Sequence, residues 1–327
     1  MVDAALSGFL AVIAWPAVGY LFAGVLAGLF FGAVPGLSGL VGMAILLPFT
    51  FSMDPVPAFA LLFGMFAVTT TSDTIASVLL GIPGTAASQA TIIDGYPMAV
   101  NGEAARALGA AFSVSAIGGL LGAILLGLSI PFVKPLILSF AQPEIFMLAL
   151  LGLAMVGSLS GGSVLRGLIA ALAGLGLSYV GYAENGALPR YWLGATYLLD
   201  GLPLVPFVLG LFAIPELIEL AAKDSSISKV PRSSVSGGLM KGVGDALRNW
   251  WLVLRSTAIG AYVGLLPGLG GSIVDWVAYG HAVQSASDKD GFGKGDVRGV
   301  IAPETANNAM KGGALLPTIA FGIPGSP

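Results

Sequence analysis

Cysteine is absent, so neither a disulfide framework nor a thiolate metal site is available to this chain. Charge is scarce as well: 9% of the 327 residues are Asp, Glu, Lys or Arg. A soluble globular domain carries about a quarter, so most of this chain does not face water. Histidine occurs once, and the formal net charge of -3 is too small to suggest nucleic acid as a partner. The N-terminus has no basic region before its apolar run, Asp3 being its only charge. A cleaved signal peptide is therefore not expected.

What fills the chain instead is apolar: 56% hydrophobic residues and a mean hydropathy of +0.92. Stretches of about 20 apolar residues recur, each long enough to cross a bilayer as a helix. Glycine (48 residues) and proline (20) lie inside these stretches, where they mark close helix packing and broken helices. The expected fold is an all-α integral membrane protein, a polytopic helical bundle with broken helices or re-entrant hairpins at Pro-Gly motifs. Its internal repeats are expected to be inverted, although an uncertain span count leaves their orientation open.

The first apolar stretch runs over 6–34, interrupted at Trp15-Pro16, and breaks at Pro35-Gly36. Apolar sequence resumes to Phe51 and stops at the turn signal Asp54-Pro55-Val56-Pro57. A hydroxyl-rich run, Thr69 to Thr74 with Asp73 inside it, precedes a second break at Ile82-Pro83-Gly84. Spans are expected over 107–130, 144–163, 164–182 and 202–222, with loops at 183–201 and 223–250. A last membrane block starts near Trp250, interrupted by a charged loop over 288–298. The 223–250 loop holds Lys223, Lys229, Arg232, Lys241 and Arg248 against Asp224 and Asp245, which places it in the cytoplasm by the positive-inside rule. Residues 1–222 thus form a first membrane repeat with following spans, 223–250 a cytoplasmic linker, and 251–327 the start of a second repeat.

The most informative feature is self-similarity. The window from Gly28 through Gly32 to Pro35-Gly36-Leu37-Ser38-Gly39 resembles that from Gly260 through Gly264 to Pro267-Gly268-Leu269-Gly270-Gly271, with six identities. Gly81-Ile82-Pro83-Gly84-Thr85 likewise resembles Gly322-Ile323-Pro324-Gly325-Ser326. Both pairs occur in the same order. Paired Gly/Pro-interrupted segments in two halves point to a transporter binding site. Proline removes a backbone donor and glycine permits the turn. The freed N–H and C=O groups cannot face lipid, so they line a polar site. Half-helix N-termini suit a carboxylate, and C-terminal carbonyls suit Na⁺. The chain stops two residues after the second Ile-Pro-Gly, so a truncated second repeat is expected.

Pro35-Gly36-Leu37-Ser38-Gly39, Gly81-Ile82-Pro83-Gly84-Thr85, Asp94-Gly95-Tyr96-Pro97 and Pro267-Gly268-Leu269-Gly270-Gly271 form an ordered set. With Ala302-Pro303-Glu304-Thr305-Ala306-Asn307-Asn308-Ala309 and Phe321-Gly322-Ile323-Pro324-Gly325-Ser326, that set resembles the large membrane subunit of the tripartite tricarboxylate transporter family. The resemblance implies a multi-pass subunit of the bacterial inner membrane, not an enzyme. Its partners would be a small transmembrane subunit and a periplasmic solute-binding protein, and its substrate a citrate-like carboxylate. No cofactor is implied beyond Na⁺ or H⁺ as coupling ion. Lys311 departs from the pattern, in which a small residue is expected.

Candidate substrate-binding positions flank the breaks: Pro35, Gly36, Ser38, Gly39, Pro83, Gly84, Thr85, Ser88, Gly268, Gly270, Pro324, Gly325 and Ser326. The hydroxyls among them could bind carboxylate oxygens or simply cap half-helices. Asn307 and Asn308 join the set, because amides bind a carboxylate without burying a charge. Coupling-ion candidates are Thr71, Ser72, Asp73 and Asp275, since an acidic side chain inside a membrane segment is costly. Lys311 could pair with an anion or snorkel to the interface. Glu304, Arg106, Arg166 and Lys134 are read as interfacial. Two rival readings stay open: a channel or scaffold subunit, and an intramembrane protease using Ser38 in Gly36-Leu37-Ser38-Gly39 with His281 as base.

Overall fold

A computed structural model describes residues 2–34, 37, 39–138, 143, 146–147, 164–183, 186–202, 214, 218, 237–266 and 270–321. The described chain is mostly helical. Helices α1 (Val2–Ile13) and α2 (Ala17–Ala33) meet at Trp15-Pro16 with a bend of 77°. Proline lacks the N–H that would continue the ladder, so the interruption seen in sequence is a bend. Helix α3 covers Gly39–Thr50 and α4 Pro55–Leu80, the latter entered through prolines in its first turn and ended by Gly81 at φ +66°. A short 3₁₀ turn (Ala86–Ser88) leads into α5 (Gln89–Met98). A π turn with Gly102 at φ +86° links α5 to α6 (Ala104–Leu138). Then follow α7 (Val164–Ser178), α8 (Leu239–Arg248), α9 (Trp250–Gly264), α10 (Gly270–Ser285) and α11 (Arg298–Phe321).

Two described helical stretches, Pro55–Leu80 and Gln89–Phe132, are long and apolar enough to cross a membrane, and the bent α1–α2 pair makes a third if it is one span. This is a helical membrane protein. Helices stop at Ala33 and resume at Gly39, and stop at Gly264 and resume at Gly270, which are the positions of the two Pro-Gly-Leu motifs.

Three expectations need correction. The fold is not strictly all-α: Gly181–Ala183 (β1) pairs antiparallel with Gly186–Arg190 (β2), placing Tyr182 opposite Pro189. Gly181 enters this hairpin at φ +106°, which glycine alone adopts freely. The segment read as a 164–182 span is helical over Val164–Ser178 and passes into this hairpin before 182. The 223–250 loop is helical over Leu239–Arg248. That helix buries Gly242, Asp245 and Ala246 against α6 and exposes Leu239, Met240 and Leu247 beside Trp250 and Trp251. An amphipathic helix with an outward apolar face and adjoining tryptophans suits the membrane–water boundary. The expected spans at 144–163 and 202–222 lie almost wholly outside the described residues, as do Lys223, Asp224, Lys229 and Arg232.

Glycine sets the packing. Gly24, Gly28 and Gly32 of α2 face the backbone of α4, and a β-carbon at Gly28 would lie 2.6 Å from the Met65 carbonyl oxygen. At Gly32 it would run into the Thr69 carbonyl. Gly260 and Gly264 of α9 are seated in the same way on the Ala306 and Met310 carbonyls of α11. Gly118 and Gly122 of α6 approach Thr305 and Ala309 on another side of α11. Small residues four apart let helix backbones touch where lipid offers no hydrophobic drive for association.

The crossing of α4 and α11 as candidate functional site

Helices α4 and α11 meet through polar side chains buried in an otherwise apolar bundle. Thr74 Oγ1 donates to Glu304 Oε2 at 2.7 Å. Thr70 and Thr71 Oγ1 donate to Asn308 Oδ1 at 3.3 and 3.1 Å. Lys311 Nζ donates to the backbone oxygen of Ala67 at 3.2 Å and to that of Phe66. Going back along α4 from Thr74 to Phe66, the partners run forward along α11 from Glu304 to Lys311. The two helices therefore cross antiparallel.

The contacts are also reciprocal. Met65 and Ala306 each lie seventeen residues before an Ile-Pro-Gly isoleucine, and Thr69 and Met310 thirteen. These are the four carbonyls on which the leading glycines of the two Pro-Gly windows sit. By the same count Thr70 corresponds to Lys311, and Ala67 to Asn308. Thr70 contacts Asn308, and Lys311 contacts Ala67. A pair in which i meets j and the equivalent of i meets the equivalent of j is the signature of a two-fold relation.

One side of the crossing holds carboxylates. Glu304 has no exposed surface, and its Oε1 accepts from Thr91 Oγ1 at 2.7 Å while Thr74 holds Oε2. Asp73 is equally buried, and its Oδ2 accepts from Thr85 Oγ1 at 2.5 Å. Gly84 is required beside it, because a β-carbon there would lie 2.5 Å from the Asp73 β-carbon. Thr85 caps the 3₁₀ turn through Ala87 N, and Ser88 Oγ accepts from the Gly84 and Thr85 amides. Asp275 of α10 accepts from Ala90 N at 2.9 Å, a carboxylate set on the N-terminal turn of α5. Asn307 donates to the Ala87 carbonyl at 3.1 Å. Two buried oxygens around this turn have no hydrogen-bond partner, Asp73 Oδ1 and Asn307 Oδ1.

The other side of the crossing is a cleft of about 450 Å³ between α4, α6 and α11. Its polar lining is Thr71, Ser115, Asn308 and Lys311, and the rest is apolar, with Phe63, Phe66 and Phe112 among the walls. Asn308 is fixed there by donating to Ser115 Oγ at 2.8 Å and to the Glu304 carbonyl at 3.0 Å.

Of the residues expected from sequence, Thr71, Asp73, Pro83, Gly84, Thr85, Ser88, Asp275, Asn307 and Asn308 gather on α4, α10, α11 and the turn following α4. Ser72 is buried but turned away, donating to the Gly28 and Thr69 carbonyls at the α2 contact. Gly39 starts α3 in close approach to the Thr69 side chain, and Gly270 starts α10. Pro35, Gly36, Ser38, Gly268, Pro324, Gly325 and Ser326 lie outside the described residues. Glu304 is corrected from interfacial to fully buried, because Thr74 and Thr91 supply the hydroxyls that satisfy it. Arg106, read as interfacial, pairs its guanidinium with Asp245 of α8 at 2.6 Å and with Glu103 at 2.9 Å.

Thr91, Ser115 and Asp94 were not singled out as site residues by sequence. Asp94 Oδ1 accepts from the Gly295 and Asp296 amides at 2.9 Å each, and Oδ2 from the Tyr279 hydroxyl at 3.0 Å. It thereby clasps the loop ahead of α11 to α5. Within that loop, burial raises the Asp296 carboxyl, but hydrogen bonds and charge from Arg298 outweigh it and hold the group below its ordinary range.

The model of the tripartite tricarboxylate transporter TctA family matches residues 18–327. The chain is 32% identical over 308 residues to an uncharacterised 52.8 kDa protein of the TAR-I ttuC' 3' region of Agrobacterium vitis, covering 94% of this chain and 61% of that relative. It is 34% identical over 68 residues to an uncharacterised protein of the TAR-II ttuC' 3' region of the same organism, covering 21% of this chain and 28% of that protein. The chain thus spans about three fifths of the length of the first relative. No solved structure matches. The matched family is one of transporters and not of enzymes, which sets aside the Ser38–His281 protease reading. With nearly its whole length matched, this chain belongs to the tripartite tricarboxylate transporter TctA family.

Proposed function

We propose that this chain is the greater part of the large membrane subunit of a secondary carboxylate transporter in a bacterial inner membrane. In this reading it works with a small transmembrane subunit and a periplasmic solute-binding protein, and a Na⁺ or H⁺ gradient drives uptake. The carrying observation is the reciprocal, antiparallel crossing of α4 and α11. Two equivalent helices that run in opposite directions belong to inverted repeats, the architecture of many secondary transporters, with ligands held where the repeats meet. The substrate carboxylate is assigned to the helix breaks at Pro35-Gly36, Pro83-Gly84, Pro267-Gly268 and Pro324-Gly325. The coupling ion is assigned to the Asp73 side of the crossing. There the unpartnered Asp73 and Asn307 oxygens are suited to ligate Na⁺, or Asp73 to carry a proton.

The test is uptake of radiolabelled citrate and a panel of other carboxylates into proteoliposomes. These contain the full-length subunit and its small partner, with or without the binding protein and an imposed gradient. Uptake that needs both the binding protein and one gradient supports the reading, and the effective gradient names the ion. Asp73→Asn is expected to lower gradient-driven uptake at least about tenfold while leaving the protein folded. Absence of uptake across the panel overturns the reading.

A further inference from the structure

A buried charge is stable only where something answers it. Six charged side chains are buried among the described residues: Asp73, Asp94, Asp245, Asp275, Glu304 and Lys311. Four of the carboxylates are answered where they stand. Asp94 takes two amides and a phenol, Asp245 the Arg106 guanidinium, Asp275 the Ala90 and Trp276 amides, and Glu304 two threonine hydroxyls. Asp73 is left with one hydroxyl, from Thr85, and an oxygen that has no partner.

Lys311 is the buried cation of this set. Two of its three N–H groups reach the Phe66 and Ala67 carbonyls, and the Phe66 ring lies 4.5 Å from Nζ. These dipoles solvate the ammonium but carry no opposite charge. Asp73 does: its carboxylate and the Lys311 ammonium attract each other through the crossing, from its two sides. They do not touch, and no salt bridge joins them. Asp73 lies six residues past Ala67, about 9 Å along α4 at about 1.5 Å per residue. The carbonyls of Phe66 and Ala67 hold the ammonium at that remove. The free Asp73 oxygen thus stays open to a ligand while its charge is balanced from a distance.

We infer that Lys311 is the resident counter-cation of Asp73, balancing its charge whenever the coupling ion is absent so that the emptied carrier can return across the membrane. The inference rests on the transporter reading above and deepens its coupling site. An alternating-access carrier must reorient once more after cargo and ion have left. Without Lys311 that step would carry a bare carboxylate through the bilayer, which is costly. With the ion bound, Asp73 is already neutralised, and the loaded step does not need Lys311.

The full-length protein and its small partner would be followed in proteoliposomes in two modes, with radiolabelled citrate or the panel carboxylate taken up in its place. Net uptake requires the empty carrier to return. Exchange against unlabelled internal substrate, with the coupling ion saturating on both sides, does not. Lys311→Met is expected to lower the ratio of net uptake to exchange at least about tenfold, the scale set by unit charges about 10 Å apart at an effective dielectric constant of about 20. Lys311→Arg is expected to keep the ratio. Melting temperatures give a measure independent of transport. Asp73→Asn and Lys311→Met each strand one charge, and the double variant strands neither, so its loss is expected to be smaller than the sum of the two. If Lys311→Met does not fold alone, the double variant is expected to restore folding. A double variant that fails to do so, additive melting losses, net uptake and exchange falling in equal proportion, or a ratio as low in Lys311→Arg as in Lys311→Met each overturn the inference and leave the transporter reading standing. Absence of both modes in the unsubstituted protein overturns that reading, and this inference with it.

Discussion

At the scale of single residues, the crossing is held by hydroxyls serving a buried carboxylate. Glu304 shares its two oxygens between Thr74 and Thr91, so each partner's donor is spent on it. Glu304→Ala would strand both hydroxyls, at about 1–3 kcal/mol each. Glu304→Gln keeps an acceptor for one hydroxyl and offers an N–H to the other, which can rotate to accept. Thermal unfolding of the full-length protein is expected to show a large loss for the alanine variant and a small one for glutamine. Equal losses would mean that the negative charge itself, not the hydrogen bonding, is what the site needs. Glu304 was not legible as a buried residue because its partners sit more than 200 positions away in sequence. Asp73 was legible, since a carboxylate in an apolar run is conspicuous whatever surrounds it.

At the scale of elements, the helix seats are decided by glycine. Gly260 sits against the Ala306 carbonyl so closely that any side chain must push α9 off α11. Gly260→Val is expected to destabilise by about 1–3 kcal/mol or more through overpacking. Gly280→Val, on α10 with nothing within 4 Å of a new β-carbon, is the control expected to leave the melting temperature nearly unchanged. Sequence carried these seats openly, as glycines four apart ahead of Pro-Gly-Leu. It carried α8 less openly. The charges of 223–250 read as a loop, whereas Leu239, Met240 and Leu247 follow a helical period with their apolar face outward. The helix end at Ser178 and the hairpin after it were missed for another reason: apolar composition continues past the helix, and composition does not mark where a backbone turns.

At the scale of the whole molecule, the two ordered motif pairs were legible in sequence, but the way α4 and α11 run past each other was not. That became readable only once Thr74–Glu304 and Lys311–Ala67 were seen to advance oppositely along their helices. The loop that the Asp94 clasp holds has a pH signature of its own. Asp296 is held by Arg298 below its ordinary range, so its folded-state pKa lies below the unfolded value. Its contribution is present above the unfolded pKa, about 3.9, and is lost as pH falls through the folded one. Melting temperature is expected to fall on acidification below about pH 4. The fall should be smaller in Asp296→Asn, which lacks the contribution at every pH. An unchanged pH profile in that variant would place the acid sensitivity elsewhere.

The Asp94 clasp has a kinematic consequence. One carboxylate on α5 grips two amides and a phenol that belong to the other half of the chain. Meanwhile Gly118 and Gly122 key α6 into α11. Parting the two halves along this seam would break all three of those bonds at once and draw the glycine keys out of their seats, so the seam behaves as a rivet and not as a hinge line.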